Sequence, residues 1–429
     1  MKKISCTAAG DAMIMRRLPG RYDGFDELSA FISQGDFRFV NLETTIHRFE
    51  TYGAAVSGGS WFCSEPEVLE DIKALGFNAV STCNNHALDY SHRGLELTLD
   101  YVNASGLKNA GVGRNLREAS APVYVDTPQG RIAYIGICSS FKEDAPAGDQ
   151  SAYLPGRPGL NPLRTSSVYQ LPAEELTRLA EIAEKLAINK ARETSVKEGY
   201  AAPLKPGTQA FGEMIFREGE PGKVTTLNKA DMERTLKGIE EARYMADYVV
   251  ICIHSHQAGP AGKEVPEPFL IDFAHQVIDG GADAVIGSGP HLLRPIEIYH
   301  DRPIFYSLGD FIMQLENVQK APADFFAKAG LPGNASLKEL FEARSAGGKK
   351  GLFYDPVMFE AVVPYWETED GRLTKLVLLP VEEHFGEGHS SAGWPSPNRE
   401  KGILERLAKM SEPYGTRIEI KDGVGIVRW

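Results

Sequence analysis

The sequence has few cysteines, and they are too scattered to form a recognisable framework. The 429 residues include five cysteines, an odd number: Cys6, Cys63, Cys83, Cys138 and Cys252. This pattern argues against a disulfide-stapled secreted domain and offers no thiolate cluster for a metal. Four of the five lie inside or beside apolar runs, so we expect buried free thiols in a reducing compartment.

Long apolar runs are also missing, and so is any excess of positive charge. No window approaches the ~18 apolar residues of a membrane span, and the basic start reaches Gly10-Asp11 before a signal-length apolar stretch can form. We therefore expect a cytoplasmic protein without a transmembrane segment; a chain from which a leader or anchor had been removed would look the same. The net charge of −12 and the pI near 5.4 argue against nucleic acid or an anionic membrane as the main ligand.

Short β-rich apolar runs alternate with amphipathic segments over most of the chain. The predicted strands are Ile4–Ala8, Phe37–Asn41, Ala79–Ser81, Arg131–Cys138, Tyr248–Ile253, Ala284–Ile286 and Pro303–Ser307. The predicted helices, which have apolar residues at helical spacing, are Glu65–Leu75, Arg93–Asn103, Ala230–Met245 and Pro268–Asp279. This alternation predicts an α/β fold with a largely parallel or mixed sheet.

Two stretches interrupt this alternation and are typical of insertions on a rim. Residues 141–225 have Pro- and Gly-rich loops around one strong helix, Pro172–Asn189, and residues 316–350 are rich in Ala, Gly and Lys. From residue 351 the pattern changes to alternating strands, Phe359–Tyr365 and Leu373–Pro380. We therefore expect a main domain over 1–315 that carries 141–225 as a helical and loop insertion, a rim insertion over 316–350, and a β-rich segment over 351–429 packed on the main domain.

Polar residues that can bind metal ions follow several predicted strands at the point where each strand ends. They are Asp11, Asn41, Glu43, Asn84, Asn85, His86, His254, His256 and His291. In open α/β sheets, sites form outside the carboxyl ends of the strands. Strands that deliver Asp, Glu, Asn or His to one edge can therefore bring several ligands together.

This ligand set suits a divalent cation of borderline hardness, because carboxylate and amide oxygens with imidazole nitrogens fit manganese, iron or zinc. Each piece also has a simpler explanation when taken alone. Asp11 could cap a helix, Asn84 to His86 could form another cap, and Ser288 to His291 could be an ordinary Gly-Pro loop. Their joint placement predicts one or two divalent ions at a single sheet edge.

Longer motifs around these residues resemble the CapA family. The motifs are Gly10–Met13, Asn41–Thr44, Asn84–Tyr90, Gly287–His291 and Ile304–Phe311. The family comprises poly-γ-glutamate capsule-synthesis proteins with a calcineurin-like metallophosphatase fold, and the motifs occur in order between about residues 4 and 315. The resemblance implies an αββα sandwich, in which helices flank two sheets and a two-metal site lies at one edge.

The resemblance also implies a role for each motif residue. Asp11 would bind the first ion, Asn85 the second, and Glu43 would be the carboxylate that bridges them. His254 and His291 would complete the ligand set, and His256 would be either an extra ligand or a residue that hydrogen-bonds to a ligand. His86, beside Asn85, would act as general acid or transition-state stabiliser.

Three positions depart from the pattern of this resemblance. Metallophosphatases usually begin with Asp-x-His, and the third position here is Met13. The late Gly-His-Gly-Pro-His motif has Ser288 in place of its first His, and Gln257 stands where a Glu often follows the His-x-His pair. Loss of an imidazole and a carboxylate weakens the second site, so one strongly bound metal or a changed metal preference is expected.

Arg157 and Arg164 lie on a Pro-stiffened loop and form a candidate substrate-binding pair. Two guanidinium groups could hold a carboxylate or phosphate through bidentate bonds, or could simply be solvated in a surface turn.

The function predicted from these features is a CapA-like, metal-dependent hydrolase that acts on a phosphoester or a γ-glutamyl-type amide. Its partner would be a small-molecule or oligomeric anionic substrate. One alternative is a non-enzymatic partner in poly-γ-glutamate capsule assembly, which the Ser288 and Gln257 departures favour. Another is a metal-free binder of anionic small molecules that uses the Arg157 and Arg164 loop.

Overall fold

The computed structural model describes residues 2–388 and 392–429. In chain order the strands are β1 (Lys3–Met13), β2 (Phe37–Leu42), β3 (Thr45–Ile46), β4 (Cys63–Ser64), β5 (Ala79–Ser81), β6 (Lys108–Ala110), β7 (Val112–Gly113), β8 (Val123–Thr127), β9 (Gly130–Cys138), β10 (Gly159–Leu160), β11 (Thr165–Leu171), β12 (Thr208–Phe211), β13 (Met214–Glu218), β14 (Gly222–Leu227), β15 (Tyr248–His254), β16 (Ala258–Gly259), β17 (Gly262–Pro266), β18 (Ala284–Ser288), β19 (Ile296–Tyr299), β20 (Arg302–Phe305), β21 (Asp310–Met313), β22 (Glu360–Glu369), β23 (Arg372–Glu382), β24 (Ser396–Pro397), β25 (Arg417–Lys421) and β26 (Val424–Arg428). The helices are α1 (Phe25–Ile32), α2 (Val68–Ala74), α3 (Ser91–Ser105), α4 (Leu116–Ser120), α5 (Ala173–Lys185), α6 (Lys190–Lys197), α7 (Lys229–Met245), α8 (Pro268–Asp279), α9 (Ala323–Lys328), α10 (Leu337–Ser345) and α11 (Gly402–Ser411).

Two large mixed sheets form the centre of the fold. The first has the order β25-β26-β23-β22-β1-β2-β5-β6, with β21 also paired to β1 and β24 to β23. The second has the order β19-β20-β18-β15-β9-β8. In the first sheet β1, β2, β5 and β6 run parallel, and in the second β9, β15, β18 and β20 do. Each sheet therefore gathers several carboxyl strand ends at one edge.

The two sheets share a hydrophobic core because alternate residues of each strand face it. Cys6 and Phe39 of the first sheet pack in one cluster with Tyr134 and Cys252 of the second. The intervening residues of the first sheet, such as Val40, face the opposite side and pack with α1 and α2. Helix α8 buries an apolar face beside β18, and helices thus line the outer sides of the sheets. The predicted α/β sandwich is confirmed.

The C-terminal part is β-rich, as predicted, and continues the first sheet. Strand β22 pairs antiparallel with β1 from Lys3 to Thr7, and β23 and β26 follow it. The turn at Asp370-Gly371, between β22 and β23, has positive φ at both residues. Residues 389–391 of the predicted 351–429 segment lie outside the described residues.

The chain divides into two compact units, residues 1–162 with 233–429, and residues 163–232. The smaller unit contains a four-stranded sheet, β12-β13-β11-β14, against which α5 packs through β12 and β13. The expectation of loops around a single helix was wrong here, because β13 and β14 are largely exposed and lack the apolar alternation that indicates a strand. The predicted domain boundaries at 141–225, 315 and 350 stay predictions.

The five cysteines are free and buried, which confirms that expectation. Within the two described ranges, the structure has no helix with the length and apolar character needed to cross a bilayer.

Candidate metal centre

Strand β1 brings the first candidate ligand into the sheet rather than to its end. The strand was predicted to stop at Ala8, but it continues to Met13 through a register shift between Ala9 and Asp11. Beyond the shift, Asp11 pairs with Asn41 of β2 on one side and with Asp310 of β21 on the other. Three polar residues on three adjacent strands are therefore in register with one another.

A glycine makes this irregular strand possible. A Cβ atom on Gly10 would lie 1.8 Å from the carbonyl oxygen of Gly309, so only glycine fits between the two backbones. The close approach lets the Asp11 amide donate a hydrogen bond of 3.1 Å to the same Gly309 oxygen. Gly309 itself has φ of +79°, a conformation that favours glycine. The Gly10-Asp11 and Leu308-Gly309-Asp310 motifs thus form one backbone junction.

Carboxylates and histidines from both sheets converge near this junction. Three overlapping groups, each with ligand atoms within 4.8 Å of one another, are Asp11 with Glu43 and His254, Asp11 with His291 and Asp310, and Glu43 with His256 and His291. The structure therefore brings together every predicted acidic and histidine ligand, and it adds Asp310.

The Glu43 carboxylate is the clearest indication that this cluster fits a metal. The side chain is fully buried, and neither carboxylate oxygen has a hydrogen-bond partner among the described residues. Burial and the nearby charges of Asp11 and Asp310 raise its pKa well above the ordinary value. An unpaired buried carboxylate is costly unless a cation compensates it. The Oδ2 atom of Asp310 is likewise buried without a partner in the described chain.

Asp11 differs from Glu43 because both of its oxygens accept hydrogen bonds. Asn41 Nδ2 donates to Oδ1 at 2.6 Å, and the Gly289 amide donates to Oδ2 at 2.8 Å. Burial alone would raise the pKa of Asp11, but His254 and the other donors outweigh it and lower the pKa. Asp11 is therefore held ionised and oriented, as a ligand must be.

Two imidazoles and one amide oxygen meet on the other side of the cluster. His254 Nε2 lies 2.8 Å from Asn85 Oδ1 and 3.0 Å from His256 Nε2, and His256 Nε2 lies 3.2 Å from the same Asn85 oxygen. Asn85 Nδ2 donates to the carbonyl of Gly58 at 3.1 Å, which fixes the amide with its oxygen toward the imidazoles. Ligand atoms around one ion are spaced roughly 3 Å apart, as follows from metal–nitrogen distances near 2 Å.

Burial keeps these two histidines in the form that binds metals. It lowers the pKa of His254 and lowers that of His256 well below the ordinary value. A neutral imidazole offers a lone pair, so both rings are suited to coordinate a cation at neutral pH.

His291 is held by a strained backbone and by Asp310. Its φ is +59°, an uncommon value for a residue with a side chain, and such strain is found at functional sites. Its Nδ1 lies 3.0 Å from Asp310 Oδ1. Burial lowers the pKa of His291, but the Asp310 charge outweighs it and raises the pKa. Burial also raises the pKa of Asp310, to about 6.

His86 lies beside the cluster and is oriented by a carboxylate that sequence reasoning did not single out. His86 Nδ1 is 2.6 Å from Asp89 Oδ2, and its Nε2 is 3.7 Å from Glu43 Oε1. The Asp89 carboxylate also accepts from the amides of Gly58 and Phe62 at 2.9 and 2.8 Å. The Phe62 ring stacks on the imidazole with centroids 4.1 Å apart. This arrangement leaves Nε2 of His86 facing the cluster.

The three departures from the family pattern have definite places. Met13 is buried in an apolar cluster with Phe62 and does not lie at a ligand position. Ser288 Oγ lies 3.0 Å from His254 Nδ1 and so supports the ring rather than a metal. Gln257 Oε1 accepts from the hydroxyls of Ser139, Ser140 and Ser255, a set of bonds that fixes the loop after His256.

The two arginines proposed to bind substrate are occupied by partners within the protein. Arg157 donates to the carbonyl of Pro146 through Nε and Nη2. Arg164 forms a two-pronged ion pair with the buried Asp231, with distances of 2.8 and 2.6 Å. Arg157 belongs to the larger unit and Arg164 to the smaller one. Their role toward a substrate stays a prediction.

Asp310 and Asp89 are the site residues that sequence reasoning missed. Both stand inside motifs already noted, Ile304–Phe311 and Asn84–Tyr90, so the signal was present. Asp310 begins strand β21 rather than following a strand, so a pattern of polar residues at carboxyl strand ends does not include it.

Comparison with known proteins agrees with this geometry. Residues 5–315 match the model of the bacterial capsule synthesis protein family PGA_cap. The uncharacterized protein y4sH of Sinorhizobium fredii is 33% identical over 99% of this chain and 93% of its own length. The PGA biosynthesis protein CapA of Bacillus subtilis is 23% identical over 86% of this chain and 82% of its length. The capsule biosynthesis protein CapA of Bacillus anthracis is 23% identical over 72% of this chain and 60% of its length. This chain therefore belongs to the PGA_cap family, within the metallophosphatase-like superfamily.

Proposed function

We propose that this protein is a metal-dependent hydrolase connected with poly-γ-glutamate synthesis, and that it cleaves a phosphoester or a γ-glutamyl amide. The single observation that carries the proposal is the buried Glu43 carboxylate, which lacks a hydrogen-bond partner in the described chain and lies amid two further carboxylates and three histidines. A purely structural cluster would be expected to pair its acids with donors.

The donor set fits manganese, iron or zinc, because it combines carboxylate and amide oxygens with imidazole nitrogens. Asp11, Glu43, His291 and Asp310 would hold one ion, and Asn85, His254 and His256 would hold a second with Glu43 shared. A bound divalent ion supplies positive charge that polarises the attacked group and lowers the pKa of water.

Beside that charge, the residues of the chain would bind and orient the substrate and transfer a proton to it. His86 would donate the proton held at Nε2 to the leaving group, a step that contributes roughly 10²- to 10⁴-fold to a rate. Asp89, fixed by two backbone amides, holds Nδ1 of the ring and so keeps Nε2 directed toward the cluster. Phe62 covers one face of the imidazole and excludes water from it.

A non-enzymatic role in capsule assembly is the second candidate. The observation that favours it is the place of Gln257, whose amide group bonds to serines of the two segments that follow β9 and β15. With Ser288 also engaged by His254, the site has fewer ligands than the family pattern offers. Such a site could hold a metal for structure alone.

Elemental analysis of the purified protein, combined with turnover assays on phosphoesters and γ-glutamyl amides, tests the proposal. We expect bound transition metal and hydrolysis of one substrate class in the wild type, and loss of both in Glu43→Ala. His86→Asn should keep the metal and lose turnover. Metal without turnover on either class would support the assembly role, and absence of metal would contradict the metal-dependent hydrolase.

A further inference from the structure

A cavity of 290 Å³ lies between the β16–β17 hairpin and the segment around α10. Three cationic side chains line it, Lys263 of β17, Arg344 of α10 and Lys350, and the described residues that line it include no carboxylate. Its apolar wall includes Leu315 and Met358. A cavity with several cations and an apolar wall suits an anion carried on an aliphatic chain.

The apolar wall of the cavity belongs to a cluster that also lies beside the candidate metal site. Leu315 and Met358 pack in one apolar cluster with Met13, Phe62 and Leu292. Met13 is two residues after the ligand Asp11, Leu292 directly follows His291, and Phe62 stacks on His86. Two side chains that line the cavity therefore pack in the same cluster as neighbours of three residues of the candidate site.

A buried arginine also ties the cavity to the metal cluster. Arg294 donates from Nε to the carbonyl of Lys263 and from Nη2 to the carbonyl of Gln257, both at 2.8 Å. Gln257 directly follows His256, so one side chain fixes the backbone of Lys263 relative to a candidate ligand. The charge of Lys263 acts on Asp310 and His291 within that cluster.

These three cations are not explained by ion pairs. Among the residues that the structure describes, no carboxylate lies within salt-bridge distance of Lys263, Arg344 or Lys350. Arg344 instead donates to the hydroxyl of Ser60 and lies over the ring of Phe325, 5.2 Å from its centroid. Asp355 acts on Lys263 only at longer range. Desolvation lowers the pKa of both Lys263 and Arg344.

We propose that Lys263, Arg344 and Lys350 form a substrate subsite for a carboxylate on an aliphatic chain, specifically the α-carboxylate of a γ-linked glutamyl unit next to the bond at the metal centre. This rests on the proposed function, because it takes the metal centre as the place of reaction. The carboxylate accepts from the guanidinium and ammonium groups, and the methylene groups of the unit contact Leu315 and Met358. The apolar wall favours this ligand over a bare phosphate, which has no aliphatic part to bury.

Calorimetric titration of the manganese-loaded protein with a tripeptide of γ-linked glutamates tests the subsite without requiring turnover. Its comparison ligands are the same tripeptide with amidated α-carboxylates and inorganic phosphate. The variants are Lys263→Gln, Arg344→Gln and Lys350→Gln. The matched control is Lys338→Gln, which removes one positive charge from the same helix, α10, at a residue outside the cavity. Manganese content and melting temperature are measured on each preparation, and Arg344→Met replaces Arg344→Gln if the latter unfolds.

We expect tripeptide affinity to fall roughly tenfold with each lost cation, the effect of one charge-assisted hydrogen bond. Lys338→Gln should bind as the wild type does, and the amidated tripeptide should bind weakly to every variant. Equal binding in all variants, or no tripeptide binding to the wild type, would overturn the subsite. Phosphate binding with the same dependence on Lys263 and Arg344 would overturn the glutamyl assignment. Tripeptide binding that needs these cations but leads to no hydrolysis would leave the subsite standing and contradict only the hydrolase proposal.

Discussion

Replacement of Glu43 by Gln should change stability in opposite directions with and without metal. In the metal-free protein the carboxylate is fully buried beside Asp11 and Asp310, and its pKa is raised well above the ordinary value of 4.5. The folded state then binds more protons than the unfolded state once the pH exceeds 4.5, so this group makes stability fall as the pH rises above that value. A neutral amide removes that pH-dependent loss.

The upper limit of the effect follows from the cost of protonating Glu43. A carboxyl with a pKa of 4.5 in the unfolded chain costs about 3 kcal/mol to protonate at pH 7, at 1.36 kcal/mol per pH unit, so the raised pKa can cost the folded state no more than this. We therefore expect Glu43→Gln to stabilise the metal-free protein by about 1–3 kcal/mol, since the buried amide also needs partners. In the presence of metal the sign reverses, because binding at a thousandfold excess over Kd stabilises the wild type by about 4.1 kcal/mol and the variant loses this gain.

Thermal or urea unfolding at pH 5 and pH 7, with chelator or with manganese, measures both effects. Glu383→Gln is the matched control, because Glu383 is also fully buried, has two oxygens without partners in the described residues, and has a raised pKa. It is absent from the groups that could hold a metal. Its variant should gain stability without metal and still respond to manganese. A Glu43→Gln protein that is less stable without metal and keeps the full manganese response would refute the reasoning.

Three further predictions concern single substitutions. Glu43→Ala should remove bound metal more completely than His256→Ala, because Glu43 joins two of the ligand groups and His256 only one; equal metal content in both would contradict the assignment. His86→Asn should lower kcat by roughly 10²- to 10⁴-fold while metal content and melting temperature stay near those of the wild type. Asp89→Asn should lower kcat and also the melting temperature, because its NH2 group would face one of the two backbone amides that donate to the carboxylate. Gly10→Ala should lose metal and stability together, since its Cβ has no room beside Gly309, and an unchanged melting temperature would rule out the close approach.

The sequence was most informative where burial pattern and motif coincide. Predicted strands such as Ala79–Ser81 and Tyr248–Ile253 match β5 and β15 within one residue, because apolar residues that pack on both faces leave a plain signal. The candidate ligands Glu43, His254 and His291 could be anticipated to lie together because they stand at or just after the ends of strands that share common edges. The fold class and the convergence of these residues were therefore accessible before any coordinates, whereas their role as metal ligands stays a prediction.

Other features depend on contacts that a linear pattern does not contain. The extension of β1 to Met13 requires β21, which lies almost 300 residues further along the chain. The four-stranded sheet of 163–232 has exposed, polar strands, so no periodicity indicated it. The pairing of Arg164 with Asp231 could not be foreseen for the same reason, because the partner lies beyond four intervening strands and two helices.

Different parts of β1 pair with different strands, and this determines how much of the chain is needed to form the site. Residues 3–7 of that strand pair with β22, whereas residues 11–13 pair with β21, and the family match ends at residue 315. A protein truncated there would retain every candidate ligand but would expose the backbone edge that β22 covers, directly upstream of Asp11. Open edges of this kind promote association between chains. The stretch by which relatives are recognised is thus shorter than the stretch that supports the site, and the last quarter of the sequence covers the strand that carries Asp11 although none of its described residues belongs to the candidate metal groups.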